Sequence, residues 1–177
     1  MRTGIQIGLI GLIGLIGLIS SCKRVKPQGA ANRAEADSVQ LSLMEMNLLM
    51  ALETDRLLTD SVRASGEAYV LDPRNFWYLR TVTTEGDEVS NGMRVEYSAT
   101  VRDLATGSLV EERTEEVEVG KGETLTAIDC CLSNMREGET CRLIAPYYDA
   151  YGRDGNAYAE PLTNVTIVLT INAITKK

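Results

Sequence analysis

From Trp77 onward the chain changes its hydrophobic period, and that change limits its fold more than any other feature. Before it, Leu41, Met44, Leu48 and Leu52 recur at three- and four-residue steps, as along one face of a helix. After it, β-branched and aromatic residues gather in short alternating runs, punctuated by turn residues such as Asn91-Gly92 and Thr106-Gly107. The runs predict strands over Trp77–Thr83, Met93–Arg102, Leu109–Arg113, Glu116–Val119, Thr140–Ala145 and Val165–Ile174. Leu125, Ile128, Leu132 and Met135 follow helical spacing with Gly138 just beyond, which predicts one short helix over 125–134, laid across the sheet. The class is α+β, a mostly antiparallel sheet wrapped around one short helix and preceded by a helical segment.

In that segment Asp37 or Ser38 can cap a helix over about 38–52, and a second short helix from about Asp55 to Ala64 ends at Gly66. Leu43, Met46, Leu49 and Met50 widen the apolar stripe beyond what one contact face requires. Packing on its own domain is the first expectation for this helix. A homodimer through residues 38–52 is the second, and a Met-lined client surface the third.

Arg2 precedes an uncharged run from Thr3 to Ser21, built largely of four Gly-Leu-Ile triplets, which stops at Cys22-Lys23-Arg24. Its apolar core suits a leader and falls short of the roughly 20 residues a spanning helix needs. Ile19-Ser20-Ser21-Cys22 resembles a bacterial lipobox, in which small residues admit the peptidase and the thiol takes a diacylglycerol. Residues 1–21 are therefore expected to be a lipoprotein signal peptide, with lipidation at Cys22. Residues 22–36, polar and carrying Pro27 and Gly29, are expected to be a flexible tether, 37–66 a helical segment and 67–177 the β-rich domain. The expected partner is a membrane, held through the lipid anchor, and the expected place is the cell envelope, on the periplasmic side of a bacterial membrane.

A formal charge of -7 and a pI near 4.7 repel phosphate backbones, so no nucleic-acid partner is expected. The absence of His removes the usual near-neutral base and the commonest metal ligand. No Cys falls in a metal-knuckle spacing, so neither a metal nor another cofactor is expected. Cys131 lies on the inward face of the cross-sheet helix and Cys141 begins the strand expected beneath it. That leaves two readings, a Cys131–Cys141 bridge or buried free thiols.

Five stretches in order carry a resemblance: Arg94-Val95-Glu96-Tyr97, Gly107 with Val110-Glu111, Val117 to Glu123 (VEVGKGE), Met135-Arg136-Glu137-Gly138-Glu139, and Pro146 to Tyr151-Gly152. With the closing strand Asn164–Leu169, they resemble the FKBP-type peptidyl-prolyl isomerase domain over about 80 residues. Lipobox, helical segment and domain together are similar to FKBP-type lipoproteins of Bacteroidetes. The resemblance implies that Tyr97 and Tyr151 are pocket tyrosines and that Glu111 stands where the family usually has Asp. It also implies that the Leu125 backbone N–H binds a ligand carbonyl. Family aromatics are replaced at Val110, Glu115, Ile128 and Leu169, and Tyr158 is expected to lean into the pocket instead.

Rotation about an X-Pro bond faces a barrier of roughly 18–20 kcal/mol from amide resonance, and lowering it needs no proton transfer. An apolar pocket and donors to the rotated carbonyl suffice, so a chain without His can do this chemistry. The implied catalytic residues are Tyr97, Glu111 and Tyr151, with Val110, Leu125, Ile128 and Leu169 binding the substrate. The implied partners are proline-containing peptide segments or envelope proteins. Three functions are expected: a weak isomerase that helps envelope proteins fold, a non-catalytic FKBP-fold binding or assembly lipoprotein, and a structural lipoprotein that oligomerises through its N-terminal helix. Ile128→Trp is expected to restore ring surface, and Tyr151→Phe to remove a hydroxyl donor.

Overall fold

A computed structural model describes residues 31–175; the expected signal peptide, Cys22 and the first part of the expected tether lie outside them. The chain divides into two units, 1–45 and 46–177. One helix, α1 (Ala31–Ser65), replaces the two expected. Nothing between Ala31 and Ser65 breaks a helix, since Pro27 and Gly29 precede it and Gly66 (φ 67°) follows, so it begins inside the expected tether. Arg56 and Asp60 brace its surface, Arg56 to Glu53 at 2.6 Å and to Asp60 at 2.9 Å, and Arg63 to Asp60 at 2.9 Å. No helix among the described residues is long and apolar enough to cross a membrane.

Within the second unit the later turns of α1 dock through Leu58, 1% exposed, and the buried Thr54. The Asp55 carboxylate accepts from Asn75 Nδ2 (2.6 Å) and the Tyr148 hydroxyl (2.9 Å). Within the second unit Leu48 and Leu52 are 60% and 55% exposed, so at these two positions the helix does not pack on the domain as first expected.

The sheet contains β1 (Val70–Leu71), β2 (Trp77–Val82), β3 (Arg94–Asp103), β4 (Leu109–Glu118), β5 (Thr140–Ala145) and β6 (Val165–Thr175). Its order is β1-β2-β5-β6-β3-β4, with every pairing antiparallel. The two strands expected over 109–113 and 116–119 form the single strand β4, because Thr114-Glu115 offers no turn chemistry. Alternation buries Val95, Tyr97, Ala99 and Val101 on β3, and Val165, Ile167, Leu169 and Ile171 on β6. Against that face lies α2 (Thr126–Leu132), burying Ala127, Ile128, Cys131 and Leu132. The core is the layer between them, joined by Phe76 from just before β2.

Candidate functional site

β4 enters the site through a bulge. Val101 pairs with Glu111 and Arg102 with Leu109, which leaves Val110 as the extra residue and sets Val110 and Glu111 both half inward. From there the period of two puts Glu111, Arg113, Glu115 and Val117 on the inner side and Glu112, Thr114 and Glu116 outside. Tyr97 stands cross-strand from Glu115, and Ala99 from Arg113. A strand of this charge can face inward only if its groups pair.

They do. Arg113 donates Nη2 to Glu111 and Nη1 to Glu115 (3.1 Å), bridging the two carboxylates. Glu111 also accepts the Tyr151 hydroxyl, and Glu115 accepts the Tyr97 hydroxyl. Thr124 Oγ1 closes the far end, 2.5 Å from the Tyr97 oxygen. A chain of bonds thus runs Tyr151, Glu111, Arg113, Glu115, Tyr97, Thr124. The side chains of Glu111 and Arg113 are 9% and 22% exposed, so most of this charge is held away from water. Burial raises the Glu115 carboxyl, but hydrogen bonds from Tyr97 and Arg113 outweigh it and hold the group below its ordinary value.

Tyr97, Ile128, Tyr151 and Leu169 share one buried cluster, with Val110 and Leu125 packed against it, so all six implied apolar and tyrosine positions come together; Glu111 joins through Tyr151. Tyr97, Ile128 and Leu169 are 0% exposed and Tyr151 is 8% exposed. A prolyl ring meets no open face of Tyr97, Ile128 or Leu169. Ile128 has no open face, so a larger ring there overpacks the core before it meets a substrate, and the expected gain from Ile128→Trp does not follow. Tyr158 does not lean in; it is 64% exposed, because the bonds of its loop turn back on Asn156.

Leu125, the residue before α2, takes no backbone partner for its N–H among the described residues. Both tyrosine protons, by contrast, already go to carboxylates, so Tyr151→Phe deprives Glu111 rather than a substrate. Sequence reasoning missed Arg113 and Thr124. The signal was the Glu111-x-Arg113-x-Glu115 alternation, hidden by ending a strand at Arg113. A wider cleft of about 390 Å3, lined by Leu57, Leu104, Pro161 and Leu162 among others, involves none of the implied residues.

The network predicts how stability responds to alkali. Burial first, and then the carboxylate each one faces, raise the Tyr97 and Tyr151 phenols above 10.0. Tyr148 is pushed up to about 12, again by burial first and then by Asp55 among its neighbours. Above about pH 10 the unfolded chain releases these protons and the folded chain keeps them, so the stability present below that pH falls as pH rises. Urea midpoints measured from about pH 8 to 11 should decline. Constant midpoints would show that the hydroxyls are not held as drawn.

A sequence profile of the FKBP-type peptidyl-prolyl cis-trans isomerase family matches residues 83–173, just over half of the 177. No curated protein sequence matches the chain. Among solved structures it is similar to a peptidyl-prolyl cis-trans isomerase from Pseudomonas syringae pv. tomato, with 18% identity and a TM-score of 0.56 over 70% of this chain and 96% of that one. It is also similar to the N-terminal domain of FKBP42 from Arabidopsis thaliana, with 18% identity and a TM-score of 0.55 over 62% and 93%. FkpA from Escherichia coli gives 12% identity and a TM-score of 0.61 over 86% and 74%.

Proposed function

The chain belongs to the FKBP-type peptidyl-prolyl cis-trans isomerase family, and from that premise we propose that it is a lipid-anchored folding factor of the cell envelope whose isomerase activity on proline-containing segments is weak. One observation carries the weakness: Tyr97, Ile128 and Leu169, which would clasp a prolyl ring, have no exposed surface, and both tyrosine hydroxyls are spent on carboxylates. The Leu125 N–H at the start of α2 remains as a donor for a rotated carbonyl.

Each decade of rate corresponds to about 1.4 kcal/mol of transition-state stabilisation, and a lost ring contact plus a lost hydroxyl donor account for about two decades. A protease-coupled isomerase assay should therefore give turnover at least about a hundredfold below a ring-complete family member. Turnover equal to such a member would overturn the reading. Binding of prolyl peptides without turnover would favour a non-catalytic binding module, which the closed network also supports.

The envelope part of the proposal rests on Ile19-Ser20-Ser21-Cys22 after the uncharged run. The exposed Leu41, Met44, Leu48 and Leu52 support self-association through 38–52. Both are tested with one variant. Labelled palmitate should enter the wild type in cells and not Cys22→Ala, and the soluble Cys22→Ala chain should run as a dimer by light scattering. An unlabelled wild type sinks the anchor, and a monomer sinks the pairing.

A further inference from the structure

Three thiols lie among the described residues and none belongs to the site described above: Cys130 is half-buried, while Cys131 and Cys141 are buried. Cys131 sits on α2, nearly one turn after Ile128. Cys141 sits on β5, cross-strand from Leu169 of β6 and from Arg80 of β2. Their elements therefore carry, or adjoin, the floor and wall of the candidate pocket.

Cys131 and Cys141 line one cavity of about 10 Å3, together with Phe76, Met135 and Arg80. That is room for about one water, and the lining sets the two thiols and the Met135 thioether among Phe76, Tyr78, Asp72, Arg80 and Asn134. Cys131 Sγ is 3.6 Å from Met135 Sδ, so the sulfurs are packed rather than solvated. The two thiols also act on each other directly: the contact raises Cys131 well above its ordinary value and lowers Cys141 below it. Cys130 faces a different neighbourhood of Arg74, Asp129 and Asp149.

We propose that Cys131 and Cys141 become joined by a disulfide when the chain folds in an oxidising compartment, stapling the helix that floors the pocket to the strand beside its wall. The oxidant is a small-molecule disulfide or the disulfide of an oxidoreductase. The Cys141 thiolate attacks one sulfur of that disulfide, forming a mixed disulfide and releasing one thiolate. Cys131, deprotonated, then attacks the Cys141 sulfur and expels the second thiolate. Two protein thiols have been oxidised by two electrons, and the oxidant has become two thiols. Both sulfurs are buried in the folded protein, 4% and 1% exposed for the residues, so the reaction belongs to folding rather than to the finished domain.

The test is to unfold and reduce the full chain, refold it with oxidised and reduced glutathione, alkylate the remaining thiols and digest with trypsin without reduction. Cleavage after Lys121, Arg136 and Arg142 separates 122–136, holding Cys130 and Cys131, from 137–142, holding Cys141. The expected product is these two peptides crosslinked with Cys130 alkylated, retained in Cys130→Ser and lost in Cys131→Ser and Cys141→Ser. The oxidised wild type should also unfold at a higher urea concentration than the reduced one, a difference absent from Cys141→Ser. Alkylation of Cys130, Cys131 and Cys141 alike in the refolded wild type, or a crosslink through Cys130, would overturn the proposal. Isomerase activity is not read in this experiment, so its outcome stands apart from the functional proposal.

Discussion

Arg113→Met should cost the second unit about 3 kcal/mol of unfolding free energy, a large share of the 5–15 kcal/mol that domains generally have. The loss comes from what Met leaves behind. Glu111 keeps only the Tyr151 hydroxyl as a partner, and Glu115 only Tyr97 and Thr124. With the Glu111 side chain 9% exposed, water cannot replace the guanidinium. Breaking a buried pair in this way typically costs about 3–5 kcal/mol, and the 22% exposure left to Arg113 places the effect at the low end. The surface pairs of α1 make a useful contrast: with side chains 45–76% exposed, they are worth at most about 1 kcal/mol each. The double variant Glu111→Leu, Arg113→Met removes both charges and should recover most of the loss. Urea unfolding followed by Trp77 fluorescence measures both. A single-variant loss below about 1 kcal/mol, or a double variant no better than the single, would show that the pair is not desolvated as described.

The same network marks the boundary of what the sequence could disclose. The alternating runs at 94–102 and 165–174 were legible because each has one buried face, and a period of two admits one register there. Helix α2 was legible from Leu125, Ile128 and Leu132, with the breaker Gly138 beyond. Two continuities were not. The Glu-Thr-Asp stretch at 53–55 looks like a boundary between helices, but no residue there forbids helical backbone, and the helix runs through. Thr114-Glu115 looks like a polar gap, yet Glu115 faces inward because Tyr97 and Arg113 meet it from β3 and β4. Polarity usually signals solvent, and only three-dimensional pairing reverses the sign. The candidate site was readable as a set of residues, since the resemblance fixed their order along the chain. The engagement of its tyrosine hydroxyls was not, because that depends on Glu111 and Glu115 pairing through Arg113.

Phe76→Ala carries the other large expected effect and asks where the folding unit begins. The family match starts at residue 83, so Phe76 lies outside it. Were residues 67–82 an appendage, truncating this ring would cost less than about 1 kcal/mol, as surface changes do. The structure assigns it otherwise. Phe76 is 1% exposed and belongs to the same cluster as Ile128, Leu132 and Leu143. Its carbonyl accepts from the Asp72 N–H at 2.8 Å, closing a turn in which Asn75 takes a positive φ of 74°. That turn delivers the chain into β2, which pairs with β5 from Trp77↔Ile144 to Val82↔Thr140. The ring also lines the small cavity beside Cys131, Cys141 and Met135, so its removal enlarges a void that is already there. Phe→Ala in a core of this kind costs about 3–5 kcal/mol, with the cavity term adding to the lost transfer energy. Trp77, the only Trp, is adjacent and reports the same transition by fluorescence. Fluorescence and far-ultraviolet circular dichroism should shift together to a lower urea midpoint, because the loss is felt across the sheet. If only the fluorescence moved, β1 and β2 would be a locally unfolding edge and the cooperative unit would begin near the family match.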